Sequence, residues 1–456
     1  MFSLERSFIK SKALFILIPF GGFSFSFLVG NLVIKASNSI VFALIFLGII
    51  FFAYLIYKDI FMGIGIFIGS MLFEYDIIPL FSHGTSISKI IGILILGLCI
   101  LSVLMKRKSL IPDDQKSILI VLFFLWSLFS LLFASNTELG IYRITTLFQL
   151  ICTYILLIKI IDNSKALTKI LLTVTILGIL ISVTSIVSLI NSPEILTQTA
   201  NSVERFEGTG TDPNHFAQNF LVLIPFGLFF YLWKSKKYIW SILAFIFVLL
   251  STFSRGGFVG LLVVLFLSTI VIFQTRKNRL VFTILIFSAL VASIIFLNKN
   301  RAVERRLTMQ GSTRARLELI DVAMEMGISN FATGVGLGNF IEHSHEYCNS
   351  IHYRRESHNG FLEVFATLGF PGFLIFSSII YLCIKDFLLG IKKVNTTNKK
   401  EVKALLQFIF ISFISFLITG FFLGLIFAKM FWILVAFSSI SKQIAESETI
   451  NSDSVL

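Results

Sequence analysis

Apolar runs of about 17 to 25 residues recur along almost the whole chain, and this feature most constrains its fold. A helix of that length crosses the hydrocarbon core of a bilayer, where only helices and closed barrels satisfy every backbone hydrogen bond. The mean hydropathy is +0.90 and only 14% of the residues are charged, values outside the usual soluble range. We therefore predict an all-α fold, a polytopic transmembrane helical bundle in which residues 1–456 form a single integral membrane domain.

The length criterion selects about 12 to 14 spans. The third and the last are short, so each is either a span, a re-entrant segment or part of a neighbouring span. Polar side chains are sparse at mid-membrane depth, which argues against an ion or proton pathway. The predicted spans are 13–29, 39–57, 60–73, 87–105, 117–134, 141–161, 169–190, 215–233, 238–254, 257–273, 280–297, 359–384, 404–424 and 427–441.

Basic residues between the spans predict the orientation, because short loops rich in Lys and Arg stay in the cytoplasm. Four such loops fall on the same side as the N-terminus, at 106–116, 234–237, 275–279 and 385–403. The first apolar stretch lacks a signal-peptide cleavage site, so we interpret it as the first span. Much of the net charge of +13 lies between spans, so we expect no nucleic-acid partner. Both termini are predicted to be cytoplasmic, and a large loop at 298–358 faces outward.

Arginines on the outward side are unusual, and those in three segments there stand out. Arg205 precedes a turn formed by Asp212, Pro213 and Asn214, in which Asp212 is predicted to cap the following helix. The N-terminus of that helix would point its N–H groups outward, at any anion there. The alternative for Arg205 is a solvated loop arginine.

The other two segments are a tight turn and an amphipathic helix. Arg255 lies in the SRGG turn at 254–257, with flexible glycines beside it. Arg314 and Arg316 open a helix predicted at 312–329, whose apolar residues Leu317, Ile320, Ala323 and Met324 suit the membrane surface. Contacts with lipid headgroups are the alternative role for these arginines.

His358 lies just before the apolar run that starts at 359. Its side chain exchanges a proton near neutral pH, at the level where a lipid-linked headgroup meets water. Asn359 and Glu363 are four residues apart and share a helical face, so Glu363 could orient Asn359 or a substrate hydroxyl. A capping role for His358 and a packing role for the other two are the alternatives.

Two further motifs carry less weight. His343, His345, Cys348 and His352 are clustered, but their spacing matches no standard zinc site, and we predict no metal. GVGLGNF at 334–340 has no strand before it, so we interpret its glycines as a turn closing the surface helix rather than a nucleotide-binding loop.

Taken in order, four outer segments resemble the O-antigen ligase and O-antigen polymerase superfamily of bacterial polytopic membrane glycosyltransferases. They are RFEGTGTDPNHFAQNFLVLIP, SRGG, the block from STRARLELIDVAMEM to GVGLGNF, and SHNGFLEVFATLGFPG, which together cover 205–372. Earlier in the chain, TELGIYRITTLFQLICTYILL at 137–157 is similar in character to the corresponding part of that superfamily.

The resemblance implies an activity and a set of residues. A glycan would pass from an undecaprenyl diphosphate carrier to a glycan or lipid A-core acceptor, at the periplasmic face of the bacterial inner membrane, without a metal or other cofactor. It implies that His358 is the catalytic base and that arginines bind the diphosphate. From the residues themselves we predict that Asn359, Glu363 and Asn214 support this site. The implied arginines are Arg205, Arg255 and either Arg314 or Arg316.

Several functions remain open from the sequence. Ligation to lipid A-core is favoured narrowly over polymerisation of repeat units, because acceptor choice depends on loop shape. A transporter or flippase of lipid-linked sugars would instead show internal repeats, broken helices and charges at mid-membrane depth, none of which the sequence displays. A nonenzymatic component of an envelope assembly complex is the third possibility.

Overall fold

A computed structural model describes residues 58–72, 114–191, 206, 212–272, 310–347, 356–397 and 399–453, with the backbone alone at 310–315 and 451–453. Twelve α-helices lie in these ranges, and the described part of the chain contains no strand. The helices are α1 (Ile60–Leu72), α2 (Gln115–Phe129), α3 (Thr137–Ile160), α4 (Ser164–Asn191), α5 (Pro213–Trp233), α6 (Ile239–Ser251), α7 (Arg255–Ile272), α8 (Gln310–Ser329), α9 (Phe340–His343), α10 (Gly360–Thr396), α11 (Lys400–Thr419) and α12 (Lys429–Asp453).

The predicted all-α membrane fold is confirmed. Seven helices in the described ranges are long and apolar enough to cross a membrane, so the chain is a multi-pass membrane protein. Four predicted spans, 13–29, 39–57, 87–105 and 280–297, lie outside the described residues. The largest differences in boundary are in α10 and α12, which continue as helices past 384 and 441, because their polar ends remain helical beyond the apolar run.

The core is built around α5, the most buried of the candidate spans. It packs against α6, α7 and α11, while α10 packs against α12, α8, α2 and α11. The predicted cap of α5 is present, because Asp212 Oδ1 accepts hydrogen bonds from the N–H groups of Asn214 at 2.6 Å and His215 at 3.0 Å. Pro213 occupies the first turn, where its missing N–H costs no helical bond.

Helix α10 is broken at Gly369, whose φ of 66° and ψ of −173° are not helical. The break frees carbonyl groups that need partners in an apolar surrounding. Val335 N–H donates to Ala366 O at 3.1 Å, Gly336 N–H to Thr367 O at 3.0 Å and Trp126 Nε1 to Leu368 O at 2.8 Å. The N-terminal segment of α10 (residues 360–368) is therefore held by groups outside its own helix.

The donors from Val335 and Gly336 belong to the GVGLGNF turn, which follows α8. The predicted turn is confirmed: its three glycines, Gly334, Gly336 and Gly338, all adopt positive φ. An alanine Cβ at Gly334 would lie 2.2 Å from the carbonyl carbon of Thr367. The turn therefore packs directly against α10 only because residue 334 is a glycine.

Helix α8 lies over the same segment of α10. Its buried face consists of Leu319, Val322, Ala323 and Met326, which pack against Val335, Phe340 and Ala366. Leu317 and Met324, two of the apolar residues that predicted a surface helix, are exposed on another face. The helix thus has two apolar faces, one of which packs on protein.

Candidate functional site

Those predicted functional residues that the structure describes lie at one end of the bundle, which we call the His358 end. Helices α5, α7 and α10 all begin there, at residues 213, 255 and 360. The turn between α11 and α12 also closes this end, because Gly360 N–H donates to Gly420 O at 2.8 Å and to Leu423 O at 3.0 Å. The turn therefore fixes the first residue of α10.

His358 has a left-handed backbone conformation with a φ of 50°, which only one other described non-glycine residue, Phe253, shares. Such a conformation costs about 1 to 3 kcal/mol and persists only where neighbouring groups hold it. The side chain is half-buried. Burial, followed by the nearby Arg316 guanidinium, lowers the pKa of His358 from its usual value of 6.5. The imidazole is therefore neutral, and able to accept a proton, around pH 7.

The residues on either side of His358 hold the turn. Asn359 caps α10, because its Oδ1 accepts from the N–H groups of Phe361 and Leu362, both at 3.1 Å. Ser357 Oγ accepts from Asn359 N–H at 3.3 Å and lies 3.2 Å from Asn359 O. His358 thus stands between two buried polar residues that bond to each other.

Glu363 reaches this turn from the first helical turn of α10. Ser357 Oγ donates to its Oε2 at 3.3 Å, so the link from Glu363 to Asn359 runs through Ser357. The guanidinium of Arg143, on α3, and the carboxylate of Glu356 both act electrostatically on Glu363. The sequence predicted that Glu363 shares a helical face with Asn359, but it did not identify Arg143.

The start of α5 forms a second wall. Ser254 Oγ donates to Asn214 Oδ1 at 2.9 Å and itself accepts from Gly257 N–H at 3.1 Å. Asn214 therefore links α5 to the residues around Arg255. Asp212 and His215, at the start of α5, act electrostatically on His358, so this wall lies within electrostatic range of the imidazole.

Arg255 is half-buried and is the first residue of α7. The expectation that flexible glycines lie beside it in a turn is wrong, because Gly256 and Gly257 are helical. They serve close packing instead: a Cβ at Gly257 would lie 2.8 Å from the Cβ of Ala217, and one at Gly256 would lie 3.2 Å from that of Phe422. Arg255 is thus fixed on a rigid helix end.

The remaining predicted arginines fall on or near α8. Arg316 is half-buried and close enough to His358 to act on its charge. Arg314 lies two residues earlier, where only the backbone is described, and Arg205 lies outside the described residues. Of Arg314 and Arg316, only Arg316 has a described side chain.

The histidine cluster has other partners. His343 uses both ring nitrogens, Nδ1 with Glu346 at 2.7 Å and Nε2 with Ser135 at 2.9 Å. Cys348 and His352 lie outside the described residues, and no group of three potential metal ligands occurs within the described ranges. His343 therefore ties α9 to the start of α3.

Arg143 is the residue that sequence reasoning missed at this end. The sequence did contain a signal for Arg143, because an ionisable residue within an apolar span is rare and is therefore a candidate functional residue. Its guanidinium carbon lies 4.7 Å from the ring centre of Phe427, in the turn between α11 and α12.

Comparison with known proteins bears on the same region. No curated protein matches the chain. Residues 239–377, which include Arg255, Arg316, His358 and Glu363, match the family described as O-antigen ligase. Arg143 and Asn214 lie before the matched range. The predicted resemblance to this family is thus confirmed over residues 239–377.

Proposed function

We propose that the protein transfers a glycan from an undecaprenyl diphosphate carrier to the hydroxyl of a lipid A-core acceptor. The observation that carries the proposal is the placement of His358, in a strained turn within electrostatic range of Arg316 and of the start of α5, in the range that matches the O-antigen ligase family. The site would face the periplasm from the bacterial inner membrane, with both termini in the cytoplasm.

His358 acts as the general base. Its neutral imidazole takes the proton of the acceptor hydroxyl while the acceptor oxygen forms a bond to the anomeric carbon of the donor. The bond between that carbon and the diphosphate oxygen breaks, and its electron pair leaves with the diphosphate. A single displacement inverts the anomeric centre. General base catalysis of this kind contributes about 100- to 10,000-fold to the rate.

Arginines stabilise the leaving diphosphate. A planar guanidinium donates two parallel hydrogen bonds to a phosphate, which lysine does not do. Arg255 and Arg316 are the described candidates, with Arg205 and Arg314 as further ones. Because these groups supply the charge, we expect metal chelators to leave the activity unchanged.

The first experiment replaces His358 with Ala in a strain that lacks the chromosomal gene, and follows surface polysaccharide on gels. We expect attachment of glycan to be lost. His345→Ala is the matched control, since His345 is an exposed histidine of the neighbouring segment. Normal attachment by a folded, membrane-inserted His358→Ala protein would overturn the proposal.

The same strain separates the ligase from a repeat-unit polymerase. Loss of a ligase leaves long glycan chains on the carrier, whereas loss of a polymerase leaves single repeat units. Orientation is tested independently in a variant without the four native cysteines. A cysteine introduced at position 356 should react with an impermeant maleimide from the periplasm, and reaction only from the cytoplasm would reverse the proposed topology.

A further inference from the structure

We propose that the end of α10 binds the headgroup of an anionic phospholipid, at the membrane surface opposite His358. The site is the exposed face of α10 formed by Tyr381, Lys385, Leu388, Leu389 and Lys392, which we call the lysine face. The ligand is a lipid of the surrounding bilayer, separate from the donor and the acceptor of the proposed reaction.

The two ends of the bundle differ in their basic residues. Within the described ranges, every lysine except Lys429 lies at the end opposite His358. The arginines whose side chains are described, Arg143, Arg255 and Arg316, lie at the His358 end instead. Clusters of lysine just outside a membrane span attract anionic lipid headgroups electrostatically. The lysine-rich end is therefore where a bound anionic lipid is expected.

Helix α10 is long enough to carry its lysines to the membrane surface. After the break at Gly369 it continues through residues 370–396, which corresponds to about 40 Å of helix. The hydrocarbon core of a bilayer is about 30 Å thick, so this helix passes through the headgroup region. Its last turns are fixed by packing among Val394, Leu406 and Ala445, which come from α10, α11 and α12.

The lysine face combines apolar and basic side chains on one side of the helix. Lys385 and Lys392 are seven residues apart, which is about two helical turns, so they share a face. Leu388 and Leu389 are exposed between them, and Tyr381 is exposed one turn before Lys385. Tyrosine is common at the boundary between acyl chains and headgroups, where a lysine stem lies along apolar groups while its ammonium reaches a phosphate. The face therefore suits a ligand that is both apolar and anionic.

The two lysines of this face are not neutralised by described protein groups. The neighbouring Lys393 has a partner, Glu446, at 3.3 Å. Lys385 and Lys392 form no ion pair with a carboxylate whose side chain is described. Asp386, which follows Lys385 in sequence, is buried and pairs with a buried lysine of α2 instead. Charge complementarity thus points to an anion from outside the protein, and the exposed leucines identify it as a lipid phosphate.

The test measures which lipid lies next to the lysine face of the full-length protein. In the variant without the four native cysteines, Leu388→Cys is labelled with a bimane fluorophore. The protein is reconstituted in phosphatidylcholine vesicles with a small fraction of nitroxide-labelled lipid, which quenches bimane on contact. We expect labelled phosphatidylglycerol to bind at this position about 25-fold more strongly than labelled phosphatidylcholine, because each lysine contributes about fivefold near an anionic headgroup.

Substitutions then assign the preference to the two lysines. Lys385→Gln and Lys392→Gln should each lower it by about fivefold, and the double variant should abolish it. Lys385→Arg and Lys392→Arg, which preserve the charge, should retain it. Leu374→Cys, an exposed position on the same helix towards its other end, is the matched control for labelling and should show no preference.

Three results would overturn the lipid site. The first is equal quenching by the two lipids at position 388. The second is a preference that survives the double glutamine variant or appears equally at position 374, since a general attraction of the protein for phosphatidylglycerol would then be responsible. The third is loss of the preference when soluble glycerol phosphate is added at constant ionic strength, which would show that the lysines bind a free phosphate without its acyl chains.

Discussion

Lys116 Nζ lies 2.7 Å from Asp386 Oδ2, and the two side chains are only 1% and 11% exposed. The lysine also donates to Ser438 Oγ at 2.5 Å, so this contact joins α2, α10 and α12 at the end of the bundle opposite His358. Ser117, Tyr154 and Ser439 extend the polar contacts to α3, through hydroxyl separations of 3.0 and 3.2 Å. Four helices are therefore joined by a buried polar network.

The first prediction concerns the stability of this network. Asp386→Ala leaves a buried ammonium without its partner, and we expect a loss of about 3 to 5 kcal/mol in unfolding free energy. Replacing both residues, as Lys116→Met with Asp386→Leu, should cost much less, because no charge is then left buried. Thermal unfolding in detergent micelles, followed by tryptophan fluorescence, measures both.

Lys393 and Glu446 provide the control, since their ion pair joins the same two helices, α10 and α12, with side chains 47% and 43% exposed. Lys393→Met should change stability by less than about 1 kcal/mol. Equal effects at the buried and exposed pairs would contradict the account.

The second prediction is a pH dependence of transfer. Burial and Arg316 lower the pKa of His358, so the rate should hold down to a pH below 6.5 and fall only where the imidazole becomes protonated. Arg316→Gln removes a cation that lowers this pKa, so the acid limb of kcat/KM should move to higher pH. Glu356→Gln removes an anion that raises the pKa, so the limb should move to lower pH.

The opposite signs make this test specific to the histidine. Asp212 and His215 also act on His358, as an anion and an imidazole respectively, and they remain unchanged in both variants. Shifts in the same direction, or an acid limb that survives in His358→Ala, would show that another group titrates.

The third prediction concerns the bond between Asn214 and Ser254. Either Asn214→Ala or Ser254→Ala removes the 2.9 Å hydrogen bond that fixes the start of α7 to α5. Because Arg255 is the next residue, we expect the donor KM to rise by several-fold, about the effect of one buried hydrogen bond of 1 kcal/mol. Ser254→Thr, which keeps the hydroxyl, is the matched control, and an unchanged KM in both alanine variants would count against a role for Arg255 at the diphosphate.

The fourth prediction tests the contact between the GVGLGNF turn and α10. Gly334→Ala places a Cβ 2.2 Å from Thr367 at a φ of 69°, so the turn must move away from α10. We expect transfer to be lost together with thermal stability. Gly227→Ala, in the interior of α5 with its nearest side-chain atom at 3.1 Å, should be tolerated. A fully active Gly334→Ala would mean that the turn does not hold the segment before Gly369.

Much of the fold was predictable because apolar runs report the bilayer directly. The cap at Asp212 and the turn at 334–340 were also predictable, since Asp before Pro and closely spaced glycines carry local signals. The lengths of α10 and α12 were not, because a polar helix end gives no hydropathy signal. The helical conformation of Gly256 and Gly257 was not predicted. These glycines allow Ala217 and Phe422 to pack closely against α7, and such contacts between residues distant in sequence leave no local signal.

The positions of the predicted residues in the fold were predictable to a similar degree, while their roles stay predictions. His358, Arg255 and Arg316 are found at one end of the bundle, where their order along the chain and the alternation of spans had placed them. Arg143 was not identified because its relation to Glu363 spans 220 positions and depends on how α3 packs. A side chain that acts on another residue, rather than on a ligand, belongs to no sequence motif with a characteristic spacing, so the sequence alone does not identify it.

The break at Gly369 also has a consequence for the order in which the protein forms. Residues 360–368 receive hydrogen bonds from Val335, Gly336 and Trp126, all of which are synthesised before them. When α10 enters the membrane, its partners are therefore already present to take the carbonyl groups that the break exposes. Biogenesis from the N-terminus thus supplies a template for the segment that follows His358, and a chain assembled in another order would lack it.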